Sequence, residues 1–184
     1  MALAAVTGDE VWRQERDEGT SWNTPLIVEH NGRAQVVVNA TNRIRSYDLA
    51  DGSLLWECSG MTRGAIPTPV HADGVVYVMS GFQGAALVAI DLDAAEGDVT
   101  NSDAVLWTKD RDTPYVPSPL LYEDALYYVK GNDGIFSAIH RATGDPLYAP
   151  QRLEGIGNLY SSPVAADGRV YLSDRDGATI VLAT

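Results

Sequence analysis

The 184 residues are 45 % apolar and 21 % charged, a balance that lets a chain of this length fold around a sizeable core. Thirteen basic against 25 acidic residues leave a net charge of −12, which repels phosphate backbones and anionic head groups and sets nucleic acid aside as a partner. No apolar run approaches the ~20 residues that span a bilayer. The single cysteine, Cys58, excludes an internal disulfide or a cysteine-based metal site and reads as a small core residue.

Taken in order, the chain is expected to be all strand. Met1-Ala-Leu-Ala-Ala-Val6 has no basic start and too short an apolar stretch for a signal peptide. Residues 1–17 read as the end of a repeat: Leu3–Val6 closes a third strand, Thr7-Gly8-Asp9 turns, and Glu10-Val11-Trp12 is a fourth strand. Residues 18–60 hold a whole unit: Pro25–Val28, a turn at Asn31-Gly32, Ala34–Val38, a turn at Asn39–Asn42, Arg43–Leu49, a turn at Asp51-Gly52, then Leu54-Leu-Trp56. Residues 61–111 repeat it with Asp73-Gly74, Val75–Val78, a hairpin turn at Gly81-Phe-Gln-Gly84, Ala86–Ile90 and Val105-Leu-Trp107. Residues 112–154 repeat it again, with Asn132-Asp-Gly134 at the second turn, and 155–184 begin another unit with Asp174-Arg-Asp-Gly177 there. These short runs are rich in Val, Ile and Tyr, and Asn-Gly and Asp-Gly suit tight hairpins because those turns need φ > 0.

Two anchors hold the units in phase. Thr or Ser precedes Pro25, Pro69, Pro119 and Pro163, at separations of 44, 50 and 44 residues. An aromatic, Trp12, Trp56, Trp107 or Tyr148, closes a short strand 12 to 15 residues before each proline. Four antiparallel strands per 40–45 residues is the blade of a β-propeller. The expected architecture is therefore an all-β propeller of about four blades, three whole and two partial, with the outer-strand aromatic filling the gap between blades. Two arrangements stand open: a ring closed by the N-terminal strand, or, favoured, a segment of a longer propeller that could self-associate edge to edge. The extra length of the second whole unit lies in Asp93–Asp103. It fails the EF-hand template at Ala95 and Glu96 and is expected to be a solvated loop.

The turn and strand Thr7-Gly8-Asp9-Glu10-Val11-Trp12, and Asp48-Leu-Ala-Asp-Gly-Ser-Leu-Leu-Trp56, resemble the Asp-x-x-Thr-Gly-x-x-x-Trp signature of PQQ-like propeller repeats, over essentially the whole chain. The resemblance is to a superfamily that includes quinoprotein dehydrogenases, BamB-like outer-membrane assembly proteins and sensor domains of bacterial membrane kinases. It implies a bacterial, periplasmic or otherwise extracytoplasmic parent, and a BamB-like non-catalytic scaffold for an unidentified protein or peptide partner. The alternatives it leaves are a fragment of a PQQ-dependent dehydrogenase, with PQQ and Ca²⁺, and a sensor domain. Quinoprotein enzymes of the family stack the quinone between a tryptophan and a disulfide of adjacent cysteines; this chain has no Cys-Cys pair. No cofactor is expected outside the dehydrogenase reading.

No catalytic constellation stands out. His30, His71 and His140 fall at unrelated spacings, and there is no Gly-x-Ser-x-Gly, phosphate-binding loop or His-Glu-x-x-His. Asn39-Ala-Thr41 matches a glycosylation sequon. The binding candidates are loops. In a propeller the segment entering the innermost strand and the loop between second and third strands share one face. That face is expected to carry Trp22, Arg63, Phe82, Tyr115, Asn158, Tyr160 and Arg175. Aromatics with arginine are the composition of binding hot spots; alternatively Trp22, Tyr115 and Tyr160 plug the central channel.

Overall fold

The computed structural model describes residues 1–184 and contains strands and turns but no helix. A short sheet pairs β1 (Ala2–Leu3) with β2 (Glu10–Trp12). The next sheet is the meander β3 (Leu26–His30), β4 (Arg33–Val38), β5 (Ile44–Asp48) and β6 (Leu54–Cys58). A third holds β7 (Val70–Ala72), β8 (Val75–Ser80), β9 (Ala86–Asp91) and β11 (Val105–Lys109), with the two-residue β10 (Gly97–Asp98) inserted before its last strand. The fourth is β12 (Leu120–Tyr122), β13 (Ala125–Lys130), β14 (Ile135–His140) and β15 (Gln151–Arg152). The last is β16 (Val164–Ala166), β17 (Arg169–Ser173) and β18 (Thr179–Ala183).

The two-residue periodicity of the middle strands explains why the sheets stack. On β8, Val76 and Val78 turn back onto Val28, Val37, Ile44 and Trp56 of the preceding sheet. The alternate residues Tyr77 and Met79 turn forward onto Leu126, Tyr128 and Ile139. On β13, Tyr127 and Val129 continue the pattern onto Val170 and Leu172. Each inner sheet thus buries both faces against its neighbours. The innermost strands come together, with β12 beside β7 on one side and β16 on the other. This is the blade arrangement of a β-propeller. No backbone pairing joins the first sheet to the last, so the array is open.

The repeated prolines have a neighbour that explains them. Ser118 Oγ accepts a hydrogen bond from the Thr68 N–H at 3.0 Å, and Ser162 Oγ accepts one from the Ser118 N–H at 2.9 Å. The hydroxyls before Pro119 and Pro163 therefore each tie one innermost strand to the preceding one. Proline cannot donate, so the residue before it supplies the link.

The outer aromatics lock successive blades, but not identically. Trp12 Nε1 donates to the Leu49 carbonyl at 2.9 Å, and the ring lies on Gly52 so closely that a Cβ there would stand 2.6 Å from it. Trp107 does the same one interface later, donating to the Arg141 carbonyl at 3.2 Å and lying on Gly144. Both glycines also hold φ near +74°, which L side chains rarely adopt. Trp56 breaks the pattern. It is 1 % exposed, and its Nε1 donates to Gln35 Oε1 within its own sheet at 3.0 Å.

The reason is the insertion. Residues 93–103, expected as a solvated loop, cross back to the preceding blade instead. Gly97 and Asp98 pair in parallel with Trp56 and Glu57, and Val99 and Ala104 are buried in the core around Trp56. Arg43 reaches Asp98 at 2.9 Å, and His30 Nε2 reaches Asp93 at 2.8 Å. Most of the segment, Asp93, Ala94, Glu96–Asp98 and Asn101–Asp103, keeps the exposed character read from the sequence, while Val99 is buried and Ala95 and Thr100 are half-buried.

A second departure is at Tyr148. The fourth strand expected there is interrupted: Pro146 makes only an isolated bridge to Ile139, Leu147 and Tyr148 are irregular, and pairing resumes at β15. Pro146 and Pro150 cannot donate to the ladder. Tyr148 still packs into the core between the last two blades.

Candidate functional site

The segments that enter the innermost strands are tied down by their backbones, which turns their side chains outward. Trp22 N–H donates to the Ala65 carbonyl at 3.1 Å, and Asn23 Nδ2 donates to the carbonyls of Asn39 and Ala65. The Trp22 ring, so presented, is 63 % exposed. Across from it, Arg63 bridges to Gln83, and Thr62 N–H donates to Ser80 Oγ at 2.9 Å. Gly64, at φ +76°, lets the Phe82 side chain lie against the chain; a Cβ at 64 would be 2.7 Å from Phe82 Cβ.

Trp22, Arg63, Gly64, Phe82, Gln83, Thr20, Thr41 and Asn42 surround an open groove of about 460 Å³. Phe82 is 51 % exposed. Its far side is stacked on half-buried Tyr115, with centroids 4.7 Å apart and planes at 21°. Tyr115 comes so near because Gly81 has no side chain: a Cβ there would meet the Pro114 carbonyl oxygen at 2.3 Å. Thr113 Oγ1 donates to the Ser80 carbonyl at 2.7 Å and holds that approach.

The remaining sequence candidates form a separate group. Arg175 sits 4.9 Å over the ring of Tyr160, which is 42 % exposed, a cation–π contact across the last blade. Exposed Asn158 takes φ +52°, tolerable for asparagine, in the turn before Tyr160. The structure therefore joins Trp22, Arg63, Phe82 and Tyr115 in one group and Asn158, Tyr160 and Arg175 in another. The carboxylates ion-pair with most of the other arginines, but neither Arg63 nor Arg175 has a carboxylate within ion-pair distance.

One charged cluster escapes sequence reading. Arg45, mostly buried, pairs with Asp17 at 2.6 Å, Glu18 at 3.0 Å and Glu57 at 2.9 Å. Glu18 also accepts the N–H groups of Asn42 and Arg43. Arg43 extends the cluster to Glu57 and Asp98. The Thr100 hydroxyl and the Arg43 guanidinium hold the Asp98 carboxyl at about 2. Partners 27 residues apart, as Glu18 and Arg45 are, leave no local pattern in a sequence.

The other candidates resolve as structural. Asn39 of the sequon is fully buried and donates to the Met79 carbonyl at 2.7 Å, so the folded chain does not present it for glycosylation. No group of three or more His, Cys, Asp or Glu side chains is placed to hold a metal ion. Cys58 is 1 % exposed, and burial pushes its thiol up to about 11. The donor set does not fit a quinone stacked on a vicinal disulfide: the one thiol is in the core, away from Trp22 on the groove.

Known structures share the blade arrangement. BamB from Moraxella catarrhalis aligns with a TM-score of 0.62 at 19 % identity, over 98 % of this chain and 50 % of that one, so the chain spans about half the length of that relative. The computationally designed Ika4 protein aligns with a TM-score of 0.58 at 13 % identity, over 96 % of this chain and 99 % of that one. Quinohemoprotein alcohol dehydrogenase ADHIIG from Pseudomonas putida HK5 aligns with a TM-score of 0.58 at 15 % identity, over 88 % of this chain and 29 % of that one. At these identities the likeness is one of fold. No curated protein matches the chain. The repeat signature, the blades and the inter-blade tryptophans agree with the family model that matches residues 1–184 throughout, and the chain belongs to the family described as outer membrane protein assembly factor BamB.

Proposed function

We propose that the chain is a non-catalytic propeller scaffold that docks a protein partner on the face carrying Trp22, Arg63 and Phe82. The carrying observation is the groove itself: two aromatics more than half exposed, beside a guanidinium with no carboxylate partner, in a protein of net charge −12. Aromatic and arginine side chains supply most of the binding energy at protein interfaces. The family's description as an outer membrane protein assembly factor supports reading the partner as a component of that assembly and the parent protein as extracytoplasmic. Edge-to-edge self-association is a further contact open to the array.

The test is site-specific photocrosslinking in cells expressing the parent protein. A photoreactive residue at Phe82 is expected to capture a discrete partner, and Arg63→Glu to abolish the capture. A photoreactive residue at Leu147, exposed on the outer rim, serves as the control. Equal capture from Leu147, or capture at Phe82 that survives Arg63→Glu, overturns the reading. The dehydrogenase alternative draws only on the fold shared with the quinohemoprotein enzyme. It predicts alcohol-dependent dye reduction after addition of PQQ and Ca²⁺; the scaffold reading predicts none.

A further inference from the structure

The strand registers make the blades comparable position by position. In the first whole blade Leu26 pairs with Val37, and Val38 pairs with Arg45. In the third, Leu120 pairs with Tyr127, and Tyr128 pairs with Ser137. Ser137 therefore stands where Arg45 stands. Counting back from the Thr/Ser-Pro step, Arg111 stands where Asp17 stands, and Asp112 where Glu18 stands. In the first blade the seat is filled: the Arg45 guanidinium lies among Asp17, Glu18 and Glu57.

In the third blade the arginine is gone and one carboxylate has become a cation. What remains is a cavity of about 280 Å³ lined by Lys109, Arg111, Asp112, Tyr128, Ser137, Ala138, Ile139, Pro146, Tyr148 and Pro150. Ser137 is 4 % exposed, and its Oγ has no hydrogen-bond partner. A buried hydroxyl without a partner is uncommon and costs free energy. Asp112 is neutralised by Lys130 at 2.9 Å and Arg111 makes a long, exposed pair with Asp110 at 3.5 Å, whereas Lys109 has no carboxylate partner. Burial pushes the Tyr128 and Tyr148 phenols up to about 12, so both remain protonated donors at neutral pH. Cations stand at the rim, hydroxyl donors within, and Ala138, Ile139 and the two prolines form apolar walls.

We infer that this cavity is a binding site for a small carboxylate with a compact apolar body. The carboxylate meets Lys109, Arg111 and the Ser137 hydroxyl, and the apolar body lies between Ile139 and Pro146. The volume lies at the small end of ligand pockets, which limits the occupant to a short aliphatic or single-ring acid. The site is independent of the aromatic groove.

The probe is benzoate, with benzamide as its neutral counterpart, titrated into the full chain while the tyrosine ring resonances are followed by NMR. Benzoate is expected to saturate shifts at Tyr128 and Tyr148, with benzamide at least about tenfold weaker. Lys109→Gln, a change at the rim, is expected to weaken benzoate about tenfold. Ser137→Arg, which places a large cationic side chain in the cavity at the position of Arg45, is expected to abolish it. Equal binding of benzoate and benzamide, no shift at either tyrosine, or full affinity in Lys109→Gln each overturn the assignment.

Discussion

Among single residues, Trp56 carries the sharpest energetic statement. It is 1 % exposed, packed between two sheets and covered by the insertion. Its indole N–H is also spent inside the core, on Gln35. Removing it loses apolar burial and leaves Gln35 Oε1 with the Ser46 hydroxyl as its one remaining donor. Trp56→Ala is expected to destabilise the chain by about 3–5 kcal/mol, read as a lower midpoint in urea with an unchanged slope. The position of Trp56 in the core was legible in the sequence because an aromatic recurs there four times. Its different partner was not, since Gln35 is set by folding rather than by spacing. Likewise Trp22, Arg63 and Phe82 were legible as sharing a face from the order of strands alone. The stacking of Tyr115 on Phe82, and the separation of Tyr160 from that group, depend on distances that no repeat period contains.

At the level of elements, the insertion is where the sequence misled. Two residues of parallel pairing have no periodicity to detect, and the acidic composition of 93–103 reads as solvent-loving. The acids are indeed exposed, but they also act as fasteners: Asp98 holds Arg43, and Asp93 holds His30 and Asn31. The consequence for pH follows in sign. The folded carboxyl of Asp98 sits at about 2, below its ordinary value of 3.8. A lowered pKa adds stability above the unfolded value and loses it as pH falls through the folded one. Asp17, Asp48, Asp51 and Asp93 are lowered too, in each case chiefly by hydrogen bonding. The melting temperature is therefore expected to fall between about pH 4 and pH 2. Asp98→Asn is expected to flatten that fall, and a pH series of thermal melts by circular dichroism reads both. Tyr148 gives the opposite lesson: its sequence position promised a strand, and Pro146 and Pro150 withheld the donors that a strand needs.

Over the whole molecule, five sheets in an open array make stability a sum of blade terms and interface terms between neighbours. The interfaces are unequal. Those at Trp12 and Trp107 rest on an indole lying on a glycine turn. The one at Trp56 adds a backbone ladder, since β10 belongs to one blade by sequence and to the preceding one by hydrogen bonds. The two blades it joins cannot open independently without breaking that ladder. They form one cooperative block, while their neighbours fray separately. In native-state hydrogen exchange, amides of β5 and β8 are expected to share a single opening free energy higher than that of β14 or β17. Stretched from its ends, the molecule would yield in steps, with the stitched pair giving way last and as one event.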